Sequence, residues 1–150
     1  MSDRLGEWRP VALSVLRIMT GLLFLAHGSQ KFLGFPDGEM AGFGWGFANP
    51  GAFAGIVELG AGLLIALGLF TRPAAFLASG TMAAAYFIGH ASQGFWPVNN
   101  GGDAAILYCF VFLYFVFAGP GPLSLDRKLR GHPDTRLTSD LPGDGEARQS

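Results

Sequence analysis

The sequence contains a single cysteine among its 150 residues, and only 14% of its residues are charged. One cysteine, Cys109, cannot close a disulfide within the chain. Without a CxxC pair or a cysteine cluster, no iron–sulfur centre or thiol relay is expected within the chain. The charged fraction lies well below the usual quarter of a soluble domain, and no basic stripe is present that could hold nucleic acid. These shortages argue against a soluble domain, a disulfide framework and a nucleic-acid-binding protein.

Apolar residues and glycine are abundant instead: half of the chain is hydrophobic, with 23 glycines and 14 phenylalanines. Each of four apolar segments is about as long as the ~20 residues that cross ~30 Å of hydrocarbon. Stretches such as GLLIALGLF and AILYCFVFLYFVFAG lack the polar stripe of a soluble helix, so lipid must be their solvent. The sequence therefore predicts an all-α integral membrane four-helix bundle with spans at Val11–Leu33, Gly51–Phe70, Pro73–His90 and Asp103–Ala118.

Basic residues beside the spans predict the orientation, because they collect on the cytoplasmic side. If the chain crosses four times, Lys31 lies on one side of the membrane. The remaining basic residues beside the spans lie on the opposite side: Arg4, Arg9, Arg72, Arg127, Lys128 and Arg130. Both termini are therefore predicted to be cytoplasmic. The expected divisions are an N-terminal segment over residues 1–10, a membrane domain over residues 11–120, and a polar, largely disordered tail over residues 121–150.

Two further groups of residues have expected roles in the membrane. Aromatic rings of the first connection suit the headgroup level and could wall a pocket: Phe43, Trp45 and Phe47. Small residues in the later spans are expected to allow close helix packing: Gly51, Gly55, Gly62, Gly80 and Ala84.

Six polar side chains in or beside the spans are the candidate site residues. Five of them fall in one layer toward the outer face, while Arg17 lies in the inner half; the five are His27, Lys31, Glu58, His90 and Asp103. An ionised group that faces lipid costs about 2.5–3.5 kcal/mol or more, so these groups are expected to face the bundle interior. Glu58 needs a cationic partner. Arg17 is the first candidate, and Lys31 and His27 are the others.

Each of these residues also has a purely structural interpretation. Lys31 can extend to the lipid headgroups. His90 and Asp103 can cap helix ends at the water interface, and His27 can hydrogen-bond a neighbouring helix. The deep arginine and the glutamate can form an ion pair that fixes helix register, or belong to a ligand or proton site.

Four stretches of the chain resemble the DoxX-like family of small bacterial membrane proteins. They are LRIMTGLLFLAHGSQKFLGF, VELGAGLLIALGLFTRPAA, GHASQGFWPVNNGGDAAILY and GPGPLSLD, within residues 11–126. The motifs HG-x-x-K, E-x-x-x-G and GPG-x-x-S-x-D occur in the family's order, although the family often has Glu at the position of Asp103. The resemblance implies a four-helix bundle in the bacterial inner membrane. One relative, the DoxD subunit, belongs to a thiosulfate:quinone oxidoreductase, and other members are tied to redox stress and sulfur handling.

Three kinds of function follow as hypotheses. The first is a membrane subunit of a redox or sulfur-stress assembly that binds quinone in the outer polar layer and takes electrons from a partner subunit or from a reduced substrate in the periplasm. The second is a non-enzymatic scaffold, and the third is a small-solute or proton carrier, which would need a homodimer. Whether the protein is an enzyme stays open. No cofactor is predicted within the chain beyond a bound quinone, and no metal site; a haem held by His27 and His90 is the weaker alternative.

Overall fold

A computed structural model describes residues 6–38 and 50–130 of the chain. Within these ranges the backbone forms helices and no strand. The helices are α1 (Arg9–Leu33), α2 (Pro50–Leu67), α3 (Thr71–Ala85), α4 (Pro97–Asn100), α5 (Asp103–Ala118) and α6 (Leu125–Leu129). After α3 the helix continues as a π turn over Tyr86–His90 and a 3₁₀ turn over Ala91–Gln93. All four predicted spans are therefore confirmed, whereas the aromatic residues predicted for the first connection lie outside the described residues.

The helices have the length and surface of membrane spans. α1, α2 and the helix from Thr71 to Gln93 are long and apolar enough to cross a bilayer, and α5 is a shorter apolar helix of 16 residues. Large apolar side chains face outward along them, among them Phe76 on α3 and Phe117 on α5. Lipid solvates such a surface, so the predicted membrane bundle is confirmed. The cytoplasmic location of both termini stays a prediction.

Consecutive spans pack side by side: α1 on α2, α2 on α3, and α3 on α5. α1 and α5 close the bundle through aromatic rings, because the ring of Phe24 lies 5.5 Å from that of Tyr108 and 4.7 Å from that of Phe112. Phe24 and Phe112 are completely buried, as are Ile65 and Phe115 beside them. The centre of the bundle is thus an apolar plug made of these four side chains.

α1 and α2 approach so closely that their backbones touch at glycines. A Cβ on Gly21 would lie 2.5 Å from the Ala66 nitrogen, and one on Gly62 would lie 2.8 Å from the Leu25 nitrogen. No side chain fits there unless the helices separate. These contacts fix an antiparallel register between the two helices.

The predicted role of small residues is confirmed at Gly55 and Gly62, which lie against side chain or backbone of α1. It is wrong at Gly80, which is exposed and has open space around its Cα in the described part of the chain. Gly80 therefore faces the lipid side of α3. Gly51 and Ala84 line a cavity described below.

Replacing Gly62 by alanine is expected to lower the free energy of unfolding by about 1–3 kcal/mol, because the added methyl group would overpack the α1–α2 contact. The matched control is Gly60→Ala on the same helix, where no described atom lies within 4 Å of the new Cβ. The measurement is thermal unfolding in detergent, followed by helical circular dichroism. Equal effects of the two substitutions would contradict the close approach.

Candidate functional site

A cavity of 560 Å³ lies among the four spans, near the ends of α1 and α3. Its size falls in the range of small-molecule sites, about 300–1,000 Å³. Four of the six predicted site residues line it: His27, Lys31, Glu58 and His90. Tyr108 of α5 lines it too and was missed by the sequence analysis, although it is a phenol within an otherwise apolar run. We call this side of the bundle the cavity end.

Lys31 and Glu58 form a buried ion pair in the cavity wall. The Nζ atom lies 2.6 Å from Oε1 and 2.7 Å from Oε2 of Glu58. Only 8% of Lys31 and 4% of Glu58 are exposed. Gly55, one turn before Glu58, leaves room for the lysine stem, since a Cβ there would lie 3.1 Å from the Lys31 Cδ. The pair therefore depends on the same close α1–α2 contact.

The expectation that Arg17 is the first partner of Glu58 is wrong. The helix register places Gly28 against Leu59, so Glu58 lies about twelve residues, or roughly 18 Å, from the level of Arg17. Side chains also tilt toward the N-terminus of their own helix. Arg17 therefore reaches away from Glu58, whereas Lys31 reaches back toward it.

Arg17 instead holds the opposite end of the bundle together. It is completely buried, and its Nη1 atom donates to the carbonyls of Ile65 and Ala66 at 2.7 and 3.2 Å. Its Nη2 atom donates to the Leu123 carbonyl at 2.5 Å. The first two carbonyls belong to the last turn of α2, where the Ile65 carbonyl also accepts from the Gly68 amide and a positive charge is favourable. The structure thus gives Arg17 a structural position, away from the cavity.

The segment after α5 packs against this same end. The Ser14 hydroxyl accepts a hydrogen bond from the Leu123 amide at 3.2 Å. The Asp126 carboxylate accepts bonds from the amides of Phe70 at 2.9 Å and Thr71 at 3.1 Å, and so caps the start of α3. Within the predicted polar tail, residues 121–126 therefore contact the bundle, residues 127–130 are exposed, and residues 131–150 lie outside the described residues. The motif GPG-x-x-S-x-D contained Asp126, but its role depends on tertiary contacts.

Burial by itself would raise the pKa of the Asp126 carboxyl. The amide hydrogen bonds from Thr71 and Phe70 act in the opposite direction and outweigh it, so the pKa lies below its ordinary value. The capping carboxylate is therefore ionised at neutral pH.

His90 is oriented by the turn that follows the π segment. Its Nδ1 atom lies 3.0 Å from the Asn100 carbonyl, and because a carbonyl oxygen only accepts, Nδ1 carries the proton. In the neutral ring, Nε2 then has a free lone pair. The Asn100 side chain donates to the Gly94 carbonyl and accepts from the Gly102 amide, both at 2.8 Å. The turn that holds His90 is thus itself fixed by hydrogen bonds.

The other two predicted residues differ in position. The His27 ring meets the Tyr108 ring edge to face at 5.9 Å, and no described residue forms a hydrogen bond with it. Asp103 is exposed at the first residue of α5, where Oδ1 accepts from the Ala104 amide at 2.9 Å. His27 therefore belongs to the cavity, while Asp103 has the position of a helix-end residue.

Metal chemistry has little support in this arrangement. Among residues 6–38 and 50–130, no three His, Cys, Asp or Glu side chains come together as a metal site requires. What the cavity offers is an ion pair, two imidazoles and a phenol on otherwise apolar walls.

The profile of the DoxX family matches residues 12–91, which is more than half of the chain. The chain belongs to the DoxX family. The matched range carries every polar cavity residue named above except Tyr108. No solved structure matches this DoxX protein.

Similar proteins occur in other bacteria. An uncharacterized protein of Haemophilus influenzae is 45% identical over 130 residues, which cover 84% of this chain and 96% of the relative. The inner membrane protein YphA of Escherichia coli is 35% identical over 82% of this chain and 94% of its own length. An uncharacterized membrane protein of Mycobacterium tuberculosis is 32% identical over 80% of this chain and 82% of its own length. Together with the candidate spans, these relatives show that this DoxX protein is a multi-pass protein of the inner membrane.

A double-mutant cycle tests the buried pair. Lys31→Met or Glu58→Gln alone leaves one buried group without its partner, and each is expected to cost about 3–5 kcal/mol of unfolding free energy. The double variant should lose less unfolding free energy than the two single variants lose in sum. Unfolding in detergent measures all four proteins. The control cycle, Arg17→Met with Glu58→Gln, should be additive within about 0.5 kcal/mol. Coupling in the control cycle, or additivity at Lys31, would contradict the assigned pairing.

The Asp126 cap predicts a pH dependence. Because its pKa is lower in the folded state, its stabilisation is complete above the unfolded value and is lost as pH falls through the folded value. Asp126→Asn resembles the protonated carboxyl, so the variant should melt below the wild type at neutral pH and approach it in acid. Thermal midpoints recorded across pH measure this difference. A gap of constant size down to the lowest pH would show that the carboxylate charge is irrelevant.

Proposed function

We propose that this DoxX protein binds a quinone in the cavity and serves as a membrane subunit of a redox assembly. The observation that supports the proposal best is the buried Lys31–Glu58 pair in the wall of an apolar cavity that His27 and His90 also line. A buried ion pair is costly to keep in a membrane protein, and such groups mark ligand or proton paths more often than simple packing.

The cavity has both kinds of surface that a quinone headgroup needs. Phe24, Met82 and Tyr108 offer apolar walls for a flat ring. An ammonium has three donors, and Lys31 directs donors to the two oxygens of Glu58, which leaves one for a quinone carbonyl. The Tyr108 phenol lines the same cavity as Glu58.

The cavity also reaches the lipid. Phe53 of α2 and Ile88 of the π turn line it, and both are exposed on the outer surface of the bundle. A quinone dissolved in the bilayer could therefore enter sideways, with its apolar tail left among the acyl chains.

Reduction of a quinone consumes two electrons and two protons. The lone pair of His90 Nε2 can take a proton from water and pass it to the quinone oxygen, and the Lys31–Glu58 pair can hold a second one. In this proposal a reduced partner protein supplies the electrons, and a reduced substrate in the periplasm is the alternative source. The chain itself binds the quinone and handles protons.

The packing favours this function over a carrier. The plug of Phe24, Ile65, Phe112 and Phe115 fills the bundle between the cavity and Arg17. A solute or proton crossing the membrane would have to pass these four buried side chains. A non-enzymatic scaffold is the alternative, and it predicts that the cavity binds no quinone.

Quinone binding can be tested with a pair of tyrosines on α5. Tyr108→Phe removes a hydroxyl at the cavity, and one lost hydrogen bond of about 0.5–1.5 kcal/mol should raise the dissociation constant about two- to ten-fold. Tyr114→Phe removes the same group from an exposed position and should leave binding unchanged. Isothermal titration of a short-chain ubiquinone analogue into protein in lipid nanodiscs measures both.

Two outcomes would reject the proposed site. Wild-type protein that shows no saturable binding would leave the scaffold as the better function. Equal losses at Tyr108 and Tyr114 would place the quinone elsewhere on the protein. A Soret band in the purified protein would instead indicate haem between the two histidines.

A further inference from the structure

A second recess lies at the opposite end of the bundle, where α3 begins and α6 packs beside it. Its volume is 710 Å³, and it shares no lining residue with the quinone cavity. Three arginines line it: Arg72 at the start of α3, Arg127 of α6, and Arg130 directly after α6. We call this region the arginine recess.

The arginine recess has an excess of positive charge. Three guanidinium groups face one carboxylate, Asp126, which leaves a net charge of two positive units among its lining residues. The Asp126 oxygens already accept hydrogen bonds from the Phe70 and Thr71 amides. No described residue accepts a hydrogen bond from the three guanidinium groups. Their planar donors suit the oxygens of a phosphate group.

Apolar surface adjoins the same recess. Phe70, in its wall, is 64% exposed. It lies in the turn between α2 and α3, where two spans end, which is the level of lipid headgroups. Free phosphate makes no apolar contact, whereas a phospholipid has acyl chains that can pack against an exposed apolar side chain. Basic residues at the membrane boundary attract anionic lipids.

We propose that the arginine recess binds the phosphodiester group of an anionic phospholipid, with its acyl chains against Phe70. The lipid phosphate would bridge Arg72 of α3, Arg127 of α6 and Arg130 directly after α6. It would therefore reinforce the docking of α6 that Asp126 and Arg17 establish. This site is independent of the quinone cavity.

Neighbouring basic residues allow a matched test. Arg127 lines the recess, whereas Lys128, the next residue, does not. Arg127→Gln and Lys128→Gln remove the same charge from the same helix. The probes are phosphatidylglycerol, phosphatidylcholine and inorganic phosphate, each titrated into the full-length protein in neutral detergent. Native mass spectrometry measures the bound lipid, and the thermal midpoint measures its effect on stability.

Wild type should retain phosphatidylglycerol in preference to phosphatidylcholine, and phosphatidylglycerol should raise the midpoint. Arg127→Gln should weaken this binding about five-fold, and Lys128→Gln by less than about two-fold. Arg72→Gln, on the other wall, should behave as Arg127→Gln does, which separates lipid loss from any unfolding of α6. Helical circular dichroism checks that each variant is folded.

Three results would overturn the proposal. Equal losses at Arg127 and Lys128 would show a general attraction to negative surfaces instead of a built site. Equal retention of the two lipids would show that the net negative charge of the lipid is not recognised. Inorganic phosphate that displaces phosphatidylglycerol at similar concentration would assign the recess to a free anion.

Discussion

The close contact between α1 and α2 is the constraint on which the rest of the bundle depends. Lipid offers no hydrogen bonds, so every charged group within the spans must find its partner inside the protein. Glycines let the two backbones touch, and this contact brings Lys31 to Glu58 at one end and Arg17 to the last carbonyls of α2 at the other. Two long cationic side chains of α1 thus find acceptors on α2, and Arg17 finds a further one in the Leu123 carbonyl.

The two arrangements solve the same electrostatic problem differently. Arg17 uses backbone carbonyls, whose partial charges need no second ionised group. Lys31 uses a carboxylate, which adds a second buried charge and makes both residues dependent on each other. The first arrangement is fully enclosed by the bundle and by the Leu123 carbonyl. The Lys31–Glu58 pair lies in a cavity wall, where a bound ligand can change the interaction between the two charges.

The apolar plug separates these two ends. Its aromatic members also close the seam between α1 and α5, which pack less directly than the consecutive spans do. The ends can therefore have distinct chemistry: a polar cavity open to lipid at one, and a docked C-terminal segment with an arginine recess at the other. Family membership is consistent with this division, since the motifs of α1, α2 and the C-terminal segment each supply one of the contacts.

Four spans and the gathering of polar groups near one end could be predicted from the sequence alone. Hydrophobic length decides whether a helix spans a membrane, and the direction of crossing decides on which level each residue lies. These two properties predict the common level of four cavity residues: His27, Lys31, Glu58 and His90. Asp103 has two interpretations in the sequence, a site residue or a helix-end residue, and the structure gives it the position at the helix end.

The partners of the charges could not be predicted in this way. Depth along one helix does not give the register of its neighbour, and the choice between Arg17 and Lys31 as partner of Glu58 depends on that register. The contacts of Gly21 and Gly62 fix that register, and with the tilt of the side chains it makes Lys31 the partner of Glu58. The capping role of Asp126 likewise exists only after the chain has folded back onto α3. The sequence determined which segments lie in lipid and at what depth, whereas only tertiary packing decided which charges meet, because that depends on distances between helices.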